Sequence, residues 1–557
     1  RWRALDPDEA SRAALDVLVA RAQSGDVAPL AAAFAGAVEL GTAGLRAPMG
    51  PGPAHMNRVV IRRAAAALVS LLPEDSTVIV AHDARFGSRR FATDVARVVR
   101  GSGRRAVLLA GALPTPVLAF AVRHLRAAAG VAITASHNPA ADNGFKVYLA
   151  DGAQIGPPDE QLLADTLVAV AARHDDGDDA VIPWSEDVLV PDPAVTEDVV
   201  TAYVEVITTR LRSGPRDVAL AYTALHGVGR AVTELAFASA GFAPLVEVPG
   251  QCDPDGAFPT VAFPNPEEAG ALDRLVAVAV ASGVDVGLAQ DPDADRLAVV
   301  VPRETGWQSL TGDEVGVLLA DHLLASTTGK RLVVRTIVSS RLLDAVAATH
   351  RVTSVATPTG FKHVMGAVRA RPELRFVFGY EEAIGYAIGE EVRDKDGIAA
   401  ALVMADLVAR LRARGRTLDD RLDDLARAHG LHLTASRSHR FDPVSGAHQR
   451  AAAMAMLRSQ PPTELAGRQV VEVVDHLEAR PPDPPVDVVV LELEGGAWVA
   501  LRPSGTEPKL KVYAEVVEPA TDGDLTATRA RAEGVLDELH RAIAERLGFP
   551  DPAAALS

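Results

Sequence analysis

The chain has 557 residues, a formal net charge of −17 and one cysteine, Cys252. The acidic balance argues against nucleic acid or an anionic membrane as partner, and a lone cysteine excludes an intrachain disulfide and suits a reducing compartment. Charged residues at 23% and apolar ones at 48% are ordinary for a soluble globular protein, and the apolar run 275–289 is interrupted by Asp285 and too short to span a bilayer.

In chain order, the opening "RWRALDPDEASR" is charged and shows no signal-peptide core, so a cytoplasmic location is expected. A strand at 76–85 precedes a helix at 90–103, and further strands follow at 104–111 and 131–136. The same alternation returns at 217–227, 231–242 and 285–301, and again at 331–350 and 375–386. Repeated βα alternation predicts parallel or mixed sheets covered by helices, and the length suits about three or four domains. The tail differs: a hairpin across "EGGA" within 486–504, a strand "KLKVYAEVV", and a long helix from about 523 to 546. The expected fold is therefore three successive α/β domains with mixed sheets and a C-terminal α+β domain, with motifs at the carboxyl ends of strands. The expected boundaries are 1–212, 213–310, 311–435 and 436–557.

Five stretches carry chemistry. "TASHNPAADNGFKVY" (134–148) sets Ser136 beside His137, with Lys146 downstream. Neighbouring side chains on an extended or turning chain point apart, so His137 is not expected to act as base for Ser136. "QDPDADRLAVV" (290–300) alternates Asp291, Asp293 and Asp295. Three crowded carboxylates repel unless a cation sits among them, although a solvated turn with capping aspartates is the plainer alternative. An EF-hand is rejected, because Arg296 and Pro302 stand where the loop needs glycine and glutamate. "LRPSGTEPKLKVY" (501–513) surrounds Gly505 with Arg502, Ser504, Thr506 and Lys509, a composition suited to phosphate or to an ordinary polar turn. "FVFGYEEAIGY" (376–386) brings Glu381 and Glu382 to a strand end, and "VRDKDGIAA" (392–400) follows with Lys395. Glycine-rich loops at 39–50 and 357–364 add Arg46, Lys362 and His363.

Taken together, "TASHNP", "DPDADR" and "RPSGTEPK" in this order, with "FPTVAFPNPEE" (258–268), resemble the α-D-phosphohexomutase superfamily of phosphoglucomutases and phosphomannomutases over nearly the whole chain. The resemblance implies that Ser136 carries a phosphoryl group and that Mg²⁺ is held by Asp291, Asp293, Asp295 and a serine-borne oxygen. Lys146 and Arg46 are similar in position to basic residues beside the reacting phosphoryl group, with Arg296 near the same centre. Glu381 and Glu382, with Lys395 close by and Lys362, would bind the sugar, while Arg502, Ser504, Gly505, Thr506 and Lys509 would grip its other phosphate. The implied reaction exchanges the 1- and 6-phosphates of glucose or mannose through a sugar bisphosphate, which also serves as activator. The implied arrangement sets the four domains around a central cleft; the implied partner is a small sugar phosphate, and the chain a monomer or homodimer. Many phosphoglucomutases have serine after the paired glutamates, where this chain has Ala383, and glycine after the arginine, where it has Ala47. The form "GYEEAIGY…VRDKDG" is more similar to a branch that includes phosphopentomutases, so a 1-phosphate/5-phosphate pentose exchange is the alternative. A metal-dependent sugar phosphatase using Ser136, and an inactive sugar-phosphate-binding protein, are the remaining readings.

Overall fold

The computed structural model describes residues 1–41, 44–187, 189–211, 213–441, 446–479, 484–503, 509–520 and 525–549. Residues Arg1–Thr311 and Ala383–Gly415 form one compact unit; Gly312–Glu382 and Arg416–Ser557 form another. No helix among the described residues is long and apolar enough to cross a membrane.

The first sheet comprises β1 (Leu40–Gly41), β2 (Gly44–Pro48), β3 (Thr77–His82), β4 (Arg105–Leu108), β5 (Ala129–Ile133) and β6 (Asp142–Leu149). Its order is β1-β2-β6-β5-β3-β4. β3 pairs parallel with β4 and β5, whereas β6 runs antiparallel to β5 and β2. Val78, Ile79 and Val80 of β3 are fully buried, as an unbroken β-branched run in a parallel strand requires. The helices Arg58–Leu71 and Ser88–Gly101 cover the sheet with Ile61, Ala65, Val95 and Val98. Asn57 caps the former, its Oδ1 accepting from Val60 N at 3.1 Å.

The second sheet comprises β7 (Leu220–Thr223), β8 (Val246–Glu247), β9 (Val286–Gln290), β10 (Leu297–Arg303) and β11 (Gly306–Ser309), ordered β11-β10-β9-β7-β8. β9 and β10 are antiparallel, with Gln290 opposite Leu297, so the acidic run 291–295 is the hairpin connection between them. The third sheet is built on β12 (Arg331–Thr336), with β13 (Thr353–Thr357) and β14 (Arg375–Glu381) parallel on either side. The chain then returns to the first unit as β15 (Gly385–Ile388) and the helix Gly397–Arg412.

The last sheet is wholly antiparallel. β16 (Leu431–Arg440), β17 (Glu464–Leu465), β18 (Arg468–Asp475), β19 (Val489–Leu493), β20 (Trp498–Pro503) and β21 (Lys509–Glu518) lie in the order β16-β21-β20-β19-β18-β17. The expected hairpin is the β19–β20 pair, with Glu492 opposite Trp498, and the expected terminal helix spans Leu525–Arg546. Three successive α/β layers and a C-terminal α+β layer are thus present, as the alternation in the sequence predicts.

Candidate active site

The first unit gathers the expected catalytic residues and metal ligands. Ser136 follows β5, Lys146 lies on β6, Arg46 lies on β2 opposite Gly144, and the three aspartates join β9 to β10. Gly144 is required by close approach, since a Cβ there would come within 2.5 Å of Thr134 O and 2.7 Å of Leu45 O. Although 155 residues apart in sequence, Ser136 Oγ donates to Asp291 Oδ2 at 2.7 Å. Lys146 Nζ donates to Asp293 Oδ2 at 2.7 Å and to Asp295 Oδ2 at 3.1 Å. Lys395 Nζ lies 3.3 Å from Asp295 Oδ2 and 3.3 Å from Asp394 Oδ1, so this lysine belongs to the aspartate cluster. Arg296 N donates to Asp291 Oδ1 at 3.1 Å, and its guanidinium lies 3.8 Å from Asp295.

These aspartates are not a solvated turn. Asp291 and Asp293 are 0% exposed and Asp295 1%. Burial, then Asp293 and Asp295, push the Asp291 carboxyl well above its ordinary value. Burial acts on Asp293 and Asp295 in the same direction, but Lys146 together with a hydrogen bond from Asp291 outweighs it at Asp293, and Lys146, Lys395 and Arg296 outweigh it at Asp295, so both are held below the usual range. Asp293 Oδ1 and Asp295 Oδ1 are buried with no hydrogen-bond donor among the described residues. One oxygen from each aspartate lies within 4.8 Å of the others. Buried, crowded, partly orphaned carboxylate oxygens fit a hard divalent cation, which would remove the cost of ionising Asp291.

The backbone at Ser136 overturns the steric argument made from adjacency. Ser136 has φ of +51°, and this left-handed turn brings His137 Nδ1 to 3.2 Å from Ser136 Oγ. Burial, then Arg296 and Arg46, hold the half-buried His137 well below its ordinary value, which favours the neutral ring. The sequence reading also missed Arg85. One of its terminal nitrogens donates to Ser136 O and Asn138 O, each at 2.5 Å. The other donates to Pro139 O at 2.6 Å and Asp142 O at 3.2 Å. Asp83 lies behind it at 3.2 Å, and its guanidinium stacks 4.9 Å from the Phe258 ring. Four backbone acceptors on one buried guanidinium hold the serine loop in its strained turn.

Of the residues expected to bind the sugar and its other phosphate, Arg296 and Lys395 lie in the first unit at the aspartate cluster, and the rest of those described lie in the second. Glu381 Oε1, at the end of β14, accepts from Gly360 N at 2.7 Å. Glu382 Oε2 accepts from Thr336 Oγ1 at 3.2 Å. Lys362 lies in the first turn of the helix Phe361–Arg369, and His363 beside it is pushed down to about 4 by burial, then by Lys362 and Arg502. Arg502 lies on β20 and Lys509 begins β21; Ser504, Gly505 and Thr506 lie outside the described residues.

Family models for phosphoglucomutase/phosphomannomutase match at residues 37–173 (alpha/beta/alpha domain I), 201–306 (domain II), 311–429 (domain III) and 456–532 (C-terminal domain). A probable phosphomannomutase of Haemophilus influenzae is 40% identical, covering 82% of this chain and 92% of its own length. The human phosphopentomutase is 30% identical over 99% of this chain and 95% of its own. The crystal structure of a putative phosphomannomutase from Thermus thermophilus shares the fold, with a TM-score of 0.69 at 24% identity, covering 92% of this chain and 99% of that one. With all four family domains matched in order and relatives spanning nearly its whole length, this chain belongs to the phosphoglucomutase/phosphomannomutase family and is a phosphosugar mutase, an isomerase.

Proposed function

We propose that the chain interconverts the 1- and 6-phosphates of a hexose, glucose or mannose, through a phosphorylated Ser136 and a sugar bisphosphate. The observation that carries this reading is the junction of Ser136 Oγ, at 2.7 Å, with an aspartate of the buried triad, whose other members pair with Lys146. Asp291, Asp293, Asp295 and an oxygen borne on Ser136 would hold Mg²⁺, which supplies charge neutralisation at the serine-borne phosphoryl group. The remaining work falls to the chain's own residues. As the phosphoryl group leaves, the P–O bond to Ser136 Oγ breaks and one to a sugar oxygen forms. The sugar hydroxyl gives up its proton to a nearby base, and Ser136 Oγ regains one. Lys146 and Arg46 stabilise the negative charge, and Arg85 keeps the serine loop in its turn. The second half-cycle returns a phosphoryl group from the other end of the bisphosphate to Ser136. Glu381, Glu382, Lys362 and Lys395 serve sugar binding with Arg296, while Arg502, Ser504, Gly505, Thr506 and Lys509 grip the non-reacting phosphate. Domains of 1–212, 213–310, 311–435 and 436–557 are part of the same proposal.

A pentose 1-phosphate/5-phosphate exchange is the second reading, favoured by Ala383 and by the full-length similarity to the human phosphopentomutase. A coupled assay on glucose 1-phosphate, mannose 1-phosphate and ribose 1-phosphate, with Mg²⁺ and a bisphosphate activator, distinguishes the two. Ser136→Ala is expected to lower turnover by about 10³-fold or more without unfolding the chain. Retention of most activity by that variant, with bisphosphate supplied, overturns the phosphoserine role. Release of inorganic phosphate without isomerisation identifies a phosphatase instead.

A further inference from the structure

The second unit holds a buried acidic cluster that the proposed chemistry does not use. Glu515 on β21 is 0% exposed. Its carboxylate accepts from Ser340 Oγ at 2.5 Å, Trp498 Nε1 at 2.7 Å and Arg341 N at 3.1 Å, with His432 Nδ1 also at 3.1 Å. Burial raises its carboxyl, but the bonds from His432, Ser340 and Trp498 outweigh this and keep it below its ordinary value. Asp313 completes the cluster, accepting from Ser340 N at 2.7 Å, Tyr380 Oη at 2.8 Å and Thr434 Oγ1 at 2.7 Å.

Two features give the cluster consequence. Ser340 lies in the loop after β12, and its neighbour Ser339 receives a hydrogen bond from Glu382 N at 3.2 Å and donates to Glu382 Oε2 at 3.5 Å. Trp498 and Glu515 face each other across β20 and β21, the two strands that flank residues 504–508. A buried carboxylate whose donors come from two sheets has one low-energy arrangement, because shifting either sheet strands a charge without partners. The step from Ser339 to Ser340 therefore ties Glu382, just past β14, to the strands that carry Arg502 and Lys509.

We propose that Glu515 and Ser340 are positioning residues that fix the span between the sugar-binding carboxylates and the phosphate-gripping strands, and thereby the length of sugar phosphate accepted. This rests on the mutase reading above. Hexose and pentose phosphates differ in length by about one C–C bond, roughly 1.5 Å. An error of about 1 Å in placing a substrate costs up to roughly 10²-fold in rate, so a joint of this kind discriminates between them.

The test measures glucose 1-phosphate and ribose 1-phosphate turnover by the unmodified chain, Glu515→Gln and Ser340→Ala, with thermal unfolding of each. Loss of one charged or hydroxyl partner is expected to raise KM for the preferred sugar phosphate about 5- to 10-fold, with a smaller change in kcat. It is also expected to shift the ratio of the two kcat/KM values by at least about 3-fold. Ser340→Ala reads the same joint should Glu515→Gln fail to fold. Variants that melt earlier but keep both KM and the ratio overturn the proposal, leaving a purely architectural cluster. An unmodified chain with no turnover on any sugar phosphate overturns the mutase reading, and this inference with it.

Discussion

Each unit of the molecule buries carboxylates, and the two clusters resolve the cost of doing so differently. In the first unit, Asp291, Asp293 and Asp295 crowd one another, are balanced by Lys146 and Lys395, and leave two oxygens without a donor. In the second, Glu515 and Asp313 receive hydroxyl, indole and backbone donors on both carboxyl oxygens. Orphaned oxygens among like charges suit a cation that binds and does chemistry; saturated oxygens suit a joint that must not move. The difference teaches that burial alone does not separate a reactive cluster from a structural one, and neither do unfilled lone pairs alone, since Asp6 and Asp396 each bury one too; in the first unit they coincide with three carboxylates crowded together.

The sharpest way to break this contrast is to remove the cation. Chelation with excess EDTA, or Asp293→Asn, is expected to lower turnover on the order of 10²-fold or more. Mg²⁺ should raise the thermal midpoint of the unmodified chain but not that of the variant. Unchanged turnover and unchanged midpoints would show that the first cluster holds no cation. A smaller effect is expected at Arg85. Arg85→Lys keeps the charge but cannot reach four carbonyls, so kcat should fall about 10- to 100-fold while KM stays within about 3-fold. A KM effect of equal size would place Arg85 in substrate binding instead.

The smallest effect sharpens the second cluster. Burial is the main cause that raises the Asp313 carboxyl from 3.8 to about 7, with Glu515 adding to it. A carboxyl raised on folding contributes stability that is full below the unfolded value and is lost as pH climbs towards the folded one. Over about pH 4 to 7 the unmodified chain should therefore lose a few degrees of thermal midpoint that Asp313→Asn does not lose. Asp396, raised to about 6 by burial, titrates in the same direction in both proteins and cancels in the difference. Parallel profiles for the two would show that Asp313 does not titrate in this range.

The legibility of the site in the sequence followed the range of its contacts. Asp291, Asp293 and Asp295 sit on one hairpin connection, so five consecutive residues display the cluster. Val78–Val80 and Val489–Leu491 declared their strands through unbroken apolar runs, while the two-residue strands β1, β8 and β17 carry too little pattern to show. Arg85 escaped because its partners are carbonyls, which every residue has. The Ser136–His137 contact escaped because neighbouring side chains point apart on an ordinary backbone, and φ there is positive. Glu515 and Ser340 are 175 positions apart, with nothing in either neighbourhood to announce the other.

The run Asp394-Lys395-Asp396 reaches three elements of the first unit in succession. Tyr148 Oη donates to Asp394 at 3.0 Å, Lys395 lies 3.3 Å from Asp295, and Tyr203 Oη donates to Asp396 at 2.8 Å. Behind it, Gly397 lets its helix approach so closely that a Cβ would come within 2.3 Å of Arg296 O. A gene truncated after Thr311 would thus encode an incomplete half, missing the counter-charge and the wedge beneath the acidic hairpin. Split versions of this enzyme should work only when the fragment spanning 383–415 is supplied in trans, a constraint on how such a chain could be permuted, swapped or shortened.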